Sequence, residues 1–145
     1  MPQRRTVFIA LALAALQLPA VASTRQVKLY RNPNCHCCDL YARHLEENGF
    51  KVDLVDTTDM APIKQKYGVP EGLEGCHTAI VDGYVIEGLI PAKYVTQMLR
   101  ERSAIKGLSL PGMPTGAPGM PGAKAKPLNV YVIDASTPPK VFATF

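Results

Sequence analysis

The sequence predicts a mixed α/β fold with a parallel pair of strands, a hairpin and a final helix. Short segments in which apolar and polar residues alternate are typical of strands, and longer segments with apolar residues at helical spacing are typical of helices. An Asp82-Gly83 pair between two β-prone segments is a strong signal for a two-residue hairpin turn. The chain has 145 residues, a length that fits one domain with a modest core.

The predicted elements follow one another in the order β-α-β-α-β-β-α, which is typical of thioredoxin-like domains. Strands are expected at residues 27–30, 50–55, 77–81 and 84–87, and helices at residues 35–48, 59–67 and 91–102. Asn34 is the predicted cap of the first helix, Asn48-Gly49 ends it, and Pro91 suits the start of the third helix.

The first 22 residues have the features of a secretory signal peptide. Arg4 and Arg5 form a positive region, residues 7–18 are almost entirely apolar, and Ala20-Val21-Ala22 gives a cleavage pattern before Ser23. The apolar stretch is shorter than the roughly 20 residues that a membrane span needs. We therefore expect an exported, periplasmic protein that has no membrane anchor after cleavage.

The charge of the chain argues against nucleic acid as a partner. The formal net charge is +4, and cleavage of the signal segment would remove two arginines from it. The remainder is mildly basic, and no basic stripe interleaved with aromatic residues is present. We expect a monomer whose partners are metal ions and other metal-handling proteins.

After Gly107 the composition changes, which suggests a division into a domain at residues 23–107 and an extension at residues 108–145. Residues 108–127 are rich in Pro and Gly and are expected to form an ordered or semi-ordered wrap rather than a helix or strand. Residues 128–133 and 141–145 are β-prone again. They are expected to form a small hairpin or to join an edge of the sheet.

Four cysteines carry the functional signal. Cys35, Cys37 and Cys38 lie in one run, and Cys76 follows about forty residues later, directly before His77. Adjacent cysteines are poorly placed to bond to each other. Three thiols so close together indicate soft metal ligands, or a redox pair with an additional ligand. In the predicted fold the run lies at the N-terminus of the first helix, where the helix dipole favours thiolate.

The loop that enters the third strand lies beside the same helix end, so Cys76 and His77 are expected to meet the cysteine run. Sulfur ligands suit Zn(II) or Cu(I). Three sulfurs within four residues cannot all bind one tetrahedral ion without strain, whereas thiolates can bridge several ions. This reasoning favours copper over zinc and allows more than one ion per chain.

Three other interpretations of the cysteines stay open. The first is a set of ordinary disulfides in an exported protein. The second is a thiol–disulfide oxidoreductase with Cys35 as the attacking thiol and Cys38 as the resolving thiol. It is opposed by the sequence Cys76-His77-Thr78, which stands where such enzymes usually carry a cis-proline. The third is a module stabilised by structural zinc.

Further donors lie near the cysteines in the sequence or in the extension. For His77, a ligand role and a structural role are equally open, because alternation along a strand would point its side chain away from that of Cys76. His44 is displaced by about 9 Å along the helix from the cysteine run, which favours packing over ligation. Met113 and Met120 are candidate thioether donors, although methionine also fills gaps in a core.

Residues 30–38, which read Tyr-Arg-Asn-Pro-Asn-Cys-His-Cys-Cys, resemble the C-x-C-C motif of the CopG-type copper-resistance proteins, and so do residues 44–45 and 49–50. Residues 68–70 and 76–88 resemble a second block of that family, and residues 108–120 a third. The resemblance implies a periplasmic, thioredoxin-like domain with a C-terminal extension. It implies copper ligands at Cys35, Cys37, Cys38 and Cys76, and motif positions of less defined role at His44 and His77.

The chain departs from the family pattern at three positions. Tyr41 stands where the family usually has Trp, Leu89 where it usually has His, and His36 where Gly is common. One imidazole is therefore missing from the usual set. The combined expectation is a periplasmic copper-binding protein of copper resistance, which sequesters or transfers copper or cycles it between Cu(I) and Cu(II). Whether it is an enzyme stays open.

Overall fold

The computed structural model describes residues 24–145, so the predicted signal peptide lies outside the described residues. These residues form one seven-stranded sheet with three α-helices. The strands are β1 (Arg25–Arg31), β2 (Phe50–Asp56), β3 (Thr78–Val81), β4 (Tyr84–Gly88), β5 (Gly107–Leu110), β6 (Asn129–Ile133) and β7 (Val141–Thr144). The helices are α1 (His36–Glu47), α2 (Ala61–Tyr67) and α3 (Ala92–Glu101), and a 3₁₀ turn (Glu71–Leu73) precedes β3.

The strand order in the sheet is β2-β1-β3-β4-β5-β6-β7. Strand β1 is parallel to β2 and antiparallel to β3, and β3 and β4 form an antiparallel hairpin. The predicted α/β order of seven elements is confirmed, with bounds that shift by one or two residues. This part of the sheet is compatible with the predicted thioredoxin-like domain.

The β3–β4 hairpin forms where the sequence predicts it. Asp82 and Gly83 have φ angles of 48° and 84°, so both central turn residues are left-handed. This conformation matches the right-handed twist of the flanking strands and is the reason that Asp-Gly pairs are favoured there. The turn fixes the pairing of Val81 with Tyr84 and hence the register of the hairpin.

Helix α1 begins directly after Cys35, which occupies the N-cap in an extended conformation without a side-chain cap bond. The prediction that Asn34 caps the helix is wrong. Its backbone N–H instead donates to Asn32 Oδ1 at 3.0 Å, within a turn that leads into the helix. Arg31 contacts Asp39 in the first helical turn at 2.8 Å and thereby holds the helix start against the end of β1.

The expectation that residues 108–127 contain no strand is wrong at their start. Strand β5 pairs in parallel with β4, and all four of its residues are buried. A strand buried on both faces does not alternate, and the neighbouring Pro and Gly residues obscured this short one. Strands β6 and β7 form a hairpin and also extend the sheet, so both expected arrangements occur together.

The core lies between the helices and the sheet and includes the second half of the chain. Buried members come from β1, α1, β4, α3, β5 and β6, among them Leu29, Tyr41, Ile86, Met98, Leu108 and Val130. The division at residue 107 stays a prediction, since the extension continues the same sheet. Within the described residues no helix is long and apolar enough to cross a membrane.

Candidate metal centre

The turn after β1 and the loop before β3 bring four cysteine sulfurs together. Cys35 is the N-cap of α1, Cys37 and Cys38 lie in its first turn, and the loop carries Cys76. Their Sγ atoms all lie within 4.8 Å of one another. The convergence expected from the sequence is therefore present, although the four residues come from segments about forty residues apart.

The four sulfurs form two different pairs. Cys35 and Cys38 are joined by a disulfide, and Cys37 and Cys76 are free thiols. The Cys37 sulfur lies 3.2 Å from the Cys35 sulfur and 3.4 Å from the Cys76 sulfur. The adjacent cysteines 37 and 38 are not bonded to each other, as the geometry of vicinal pairs predicts. The centre thus contains a C-x-x-C disulfide beside a pair of thiols.

The Cys76 thiol is strongly disfavoured as an anion when no metal is present. Burial raises its pKa to about 12, and a hydrogen bond with Cys37 acts in the same direction. A thiol with this pKa is protonated at neutral pH and is a poor nucleophile. A metal ion that bound the sulfur would have to displace this proton, so metal uptake at Cys76 would release a proton to solvent.

His77 lies against the same centre and is fully buried. Its Nδ1 is 3.3 Å from the Cys76 sulfur, because β3 begins only at Thr78 and strand alternation does not yet apply at His77. The ring stacks on Tyr41 with centroids 4.6 Å apart. Burial lowers its pKa to about 3, so the ring is neutral at physiological pH.

The two nitrogens of His77 have different surroundings. Nδ1 contacts the Cys76 sulfur, whereas the buried Nε2 has no hydrogen-bond partner within residues 24–145. His77 is not part of the four-sulfur group. Its role as a ligand stays a prediction.

His44 has a structural contact that the sequence reasoning favoured. Its Nε2 accepts a hydrogen bond of 3.0 Å from the backbone N–H of Ala92, the first residue of α3. The N-cap residue of that helix, Pro91, offers no side-chain cap. His44 therefore satisfies an N–H at the start of α3 that the helix itself leaves unpaired. It lies outside the four-sulfur group, and its role as a ligand stays a prediction.

A buried charged network holds the loop that carries Cys76. Glu87 is fully buried and forms an ion pair with Lys64 of α2. Its carboxylate also accepts hydrogen bonds from the Gly75 N–H at 2.7 Å and from the Thr78 hydroxyl at 2.6 Å. The Lys64 ammonium in turn donates to the Gly75 carbonyl at 3.0 Å. The residues on both sides of Cys76-His77 are thereby fixed to one carboxylate.

Sequence reasoning missed this network. A signal was present, since Glu87 occupies the same face of β4 as Val85, and a charged residue in a buried strand requires a partner. Nothing in the sequence identified Lys64 as that partner, because it lies on a helix 23 residues away. The pairing depends on how α2 packs over the sheet.

Close backbone approach also shapes the loop. A Cβ atom added to Gly75 would lie 2.6 Å from the Gly88 Cα, so no side chain fits there. The Gly88 N–H donates to the His77 carbonyl at 3.1 Å. Leu89, which stands where an imidazole was expected from the resemblance, is fully buried in the core.

The methionines of the extension have different positions. The Met113 Sδ lies 4.0 Å from the Cys37 sulfur, and 56% of the residue is exposed. Met120 is partly buried and packs against the core. The loop that carries it lies close to α1, where a Cβ on Gly119 would be 2.6 Å from the Cys37 carbonyl oxygen.

His36 is exposed at the start of α1.

The fold and the sulfur cluster define a mixed α/β protein with a candidate metal centre. A protein-family model described as "Protein of unknown function, DUF411" matches residues 73–120, and no curated protein matches the chain. The solved structure "Copper resistance protein copG- Form 2" is 37% identical, with a TM-score of 0.77, and the alignment covers 84% of this chain and 98% of that one. "Copper resistance protein copG- Form 1" is 38% identical, with a TM-score of 0.75 and coverage of 83% and 96%.

The chain therefore belongs to the CopG family of copper-resistance proteins, as the sequence motifs predicted. The cluster of four cysteines and the copper-resistance relatives together fit a copper-handling protein.

Proposed function

We propose that this protein binds Cu(I) through Cys35, Cys37, Cys38 and Cys76 and so contributes to copper resistance in the periplasm. The observation that carries the proposal is the convergence of four sulfurs within 4.8 Å in a chain of this family. Thiolates are soft ligands that suit Cu(I). The centre lacks the ring of carboxylate oxygens that a hard cation would need, at least within the described residues.

The sulfur separations support ligand sharing. With metal–thiolate bonds of about 2.3 Å, as zinc has, two sulfurs on one ion lie at most about 4.6 Å apart. The separations of Cys37 from Cys35 and from Cys76 are 3.2 and 3.4 Å. Reduction of the Cys35–Cys38 disulfide would supply all four thiols to the metal. We propose that Cys37, which contacts a sulfur on either side, is the bridging ligand when more than one ion is bound.

We also propose that the Cys35–Cys38 pair exchanges electrons with copper. Two Cu(II) ions would take one electron each from the reduced pair, which gives two Cu(I) ions, the disulfide and two released protons. A further round would require an external dithiol to reduce the disulfide. If the reduced, metal-free protein converts two equivalents of Cu(II) to Cu(I) and forms one disulfide per chain, the redox proposal stands. Failure to reduce Cu(II) would remove it and leave copper binding unaffected.

The binding proposal is tested by anaerobic Cu(I) titration of the reduced protein from Ser23 to Phe145, with copper measured by elemental analysis. A Cys76→Ser variant removes one of the four sulfurs, and Met120→Leu is the control outside the cluster. More than one tightly bound copper per chain is expected, with a lower capacity in the cysteine variant. Weak and equal uptake by all three proteins would contradict a shared thiolate centre.

The second candidate function is thiol–disulfide exchange. The observation that favours it is the Cys35–Cys38 disulfide at the start of α1. An insulin-reduction assay on metal-free protein separates the two candidates. Catalytic turnover would favour the oxidoreductase, whereas inactivity together with tight copper binding would favour the metal protein.

The periplasmic location rests on the N-terminal residues and is tested separately. Expression of the full chain in a Gram-negative cell, followed by fractionation and N-terminal sequencing, should give a periplasmic protein that begins at Ser23. A cytoplasmic protein that retains residues 1–22 would overturn this part of the proposal.

A further inference from the structure

We propose that Met113 is a copper ligand, and that it forms a three-sulfur Cu(I) site with Cys37 and Cys76 while the Cys35–Cys38 disulfide is closed. This inference rests on the proposed copper-binding function and adds a second binding state to it. In that state two of the four cysteine sulfurs are bonded to each other and are no longer available as thiolates. Two free thiols and one thioether remain at the centre.

Cys37 lies close enough to each of the other two sulfurs to share an ion with it. Cys37 Sγ lies 3.4 Å from Cys76 Sγ and 4.0 Å from Met113 Sδ. Both separations are below the limit of about 4.6 Å that metal–sulfur bonds of about 2.3 Å would set. Cys37 is the common neighbour, so an ion bound to it meets a thiol on one side and a thioether on the other.

The exposure of Met113 argues against a packing role. A methionine that fills a gap in a core is buried, as Met98 is in this protein. Met113 is instead 56% exposed, so most of its side chain contributes no burial to stability. Its thioether nevertheless points to the cysteine centre rather than away from it. This combination suits a ligand at the solvent side of a metal site.

The backbone places Met113 beside the Cys76 loop. The N–H of Gly112 donates to the Glu74 carbonyl at 2.9 Å, and Gly112 pairs with Gly75 in a short parallel bridge. Gly112 has a φ of +72°, a left-handed conformation that turns the chain at this point. The residue before Cys76 and the residue before Met113 are thus neighbours. The bridge places the Cys76 and Met113 backbones side by side, and both side chains place their sulfur against Cys37 Sγ.

Thioether chemistry fits this position. A thioether carries no proton to lose, and it cannot form a disulfide, so it remains a donor when thiols are oxidised in pairs. It is also a soft ligand that suits Cu(I). The three-sulfur site would therefore hold one copper ion under oxidising conditions. Reduction of the Cys35–Cys38 bridge would then add two thiols and raise the capacity of the centre.

The test uses protein with the disulfide closed, verified by alkylation of two thiols per chain before and after the titration. Cu(I) is supplied anaerobically as its acetonitrile complex, and affinity is measured by competition with a chromogenic Cu(I) chelator. Wild type and the control Met120→Leu should each bind one Cu(I) with equal affinity. Met113→Leu, which keeps the side-chain size, should bind at least tenfold more weakly.

Selenomethionine-substituted protein gives a direct second readout. X-ray absorption at the selenium edge should show a copper neighbour in wild type and in Met120→Leu, and should lose it in Met113→Leu. Equal Cu(I) affinity of wild type and Met113→Leu, or no copper neighbour at selenium, would overturn the inference.

Two further results separate this inference from the proposed function. If the reduced protein binds copper and the protein with a closed disulfide does not, the three-sulfur site is overturned and the four-cysteine function stays intact. The absence of Cu(I) binding in both redox states would overturn both proposals.

Discussion

At the scale of single residues, His77 shows how burial sets the chemistry of the centre. Its ring is enclosed between Tyr41 and the Cys76 sulfur, and burial keeps it neutral. A neutral imidazole can accept a hydrogen bond or bind a metal, whereas a protonated one can do neither. The same burial makes the stability of the metal-free protein depend on pH.

The sign of this dependence follows from the two pKa values of His77. The unfolded chain takes up the proton near pH 6.5, and the folded protein takes it up only at about pH 3. Between these values the unfolded state binds more protons, so stability decreases as the pH falls. In that window His77 should lower the free energy of unfolding by up to about 1.4 kcal/mol for each unit that the pH falls.

Urea unfolding of metal-free wild type and His77→Phe between pH 6.5 and 4.5 checks this prediction. Phenylalanine keeps an aromatic ring on Tyr41 and does not titrate. The comparison also cancels the pH dependence that other groups contribute to the stability of both proteins. One such group is His44, whose pKa is likewise lowered by burial. The stability difference between the two proteins should shift with pH by the amount given above, and a constant difference would contradict the prediction.

At the scale of elements, the Lys64–Glu87 pair joins α2, β3 and β4 around the Cys76 loop. Glu87→Ala would leave the Lys64 ammonium buried without its anionic partner and would remove the acceptor of the Thr78 hydroxyl and of the Gly75 N–H. Removal of one member of a buried pair costs about 3–5 kcal/mol. We expect Glu87→Ala to lower the free energy of unfolding by that amount, as measured by urea unfolding.

Two controls accompany Glu87→Ala. Glu101→Ala removes a glutamate from the end of α3, where it accepts an exposed hydrogen bond from Gln97, and should cost less than about 0.5 kcal/mol. The double variant Lys64→Met/Glu87→Leu removes both charges and should be more stable than Glu87→Ala alone. A double variant that is less stable than the single one would show that the ion pair is not the source of the effect.

The loop itself gives a second element-scale prediction. Gly75→Ala would place a Cβ against the Gly88 backbone, so the Cys76 loop must move. Overpacking of this kind costs about 1–3 kcal/mol. Gly72→Ala is the matched control, because a Cβ there meets nothing within 4 Å. Thermal or urea unfolding should show a lower free energy of unfolding for Gly75→Ala and little change for Gly72→Ala.

The elements also show what sequence reasoning can and cannot predict. The hairpin at Asp82-Gly83 and helix α1 were predictable because local backbone preferences and periodicity determine them. Strand β5 was missed, since its assignment depends on β4 and β6 on either side. The convergence of Cys76 with the cysteine run followed from the predicted fold. The bonding of Cys35 to Cys38 was only one of the alternatives that the sequence left open, because four cysteines allow three pairings.

At the scale of the whole molecule, the C-terminal strands are part of the sheet that supports the site. Leu128, Val130 and Ile133 are all buried, and the last residue exchanges two backbone hydrogen bonds with Leu128. Deletion of residues 128–145 would remove these side chains from the core and leave β5 as an exposed edge.

We expect this deletion to destabilise the protein by about 5 kcal/mol or more, since each buried aliphatic side chain contributes about 1.5–3 kcal/mol. Circular dichroism during thermal unfolding measures the loss. Val141→Thr, at a residue that is 52% exposed, is the control and should change little. Unchanged stability after the deletion would instead show that β6 and β7 are not needed for the stability of the remaining fold.

The strand order has a consequence for how the centre assembles. Nearly every strand pairs with its neighbour in sequence, and the β1–β3 pairing, which sets Val27 opposite Val81, joins strands that are not consecutive. Closing that long loop is entropically costly and slow compared with local contacts. Cys35 and Cys38 lie within one helical turn and can meet before the loop closes, whereas Cys37 meets Cys76 only afterwards. We therefore expect Cys35 and Cys38 to meet first during folding. Once an external disulfide has oxidised them to the bridge and has itself been reduced to a dithiol, Cys37 is the thiol of the run that remains for Cys76 to meet.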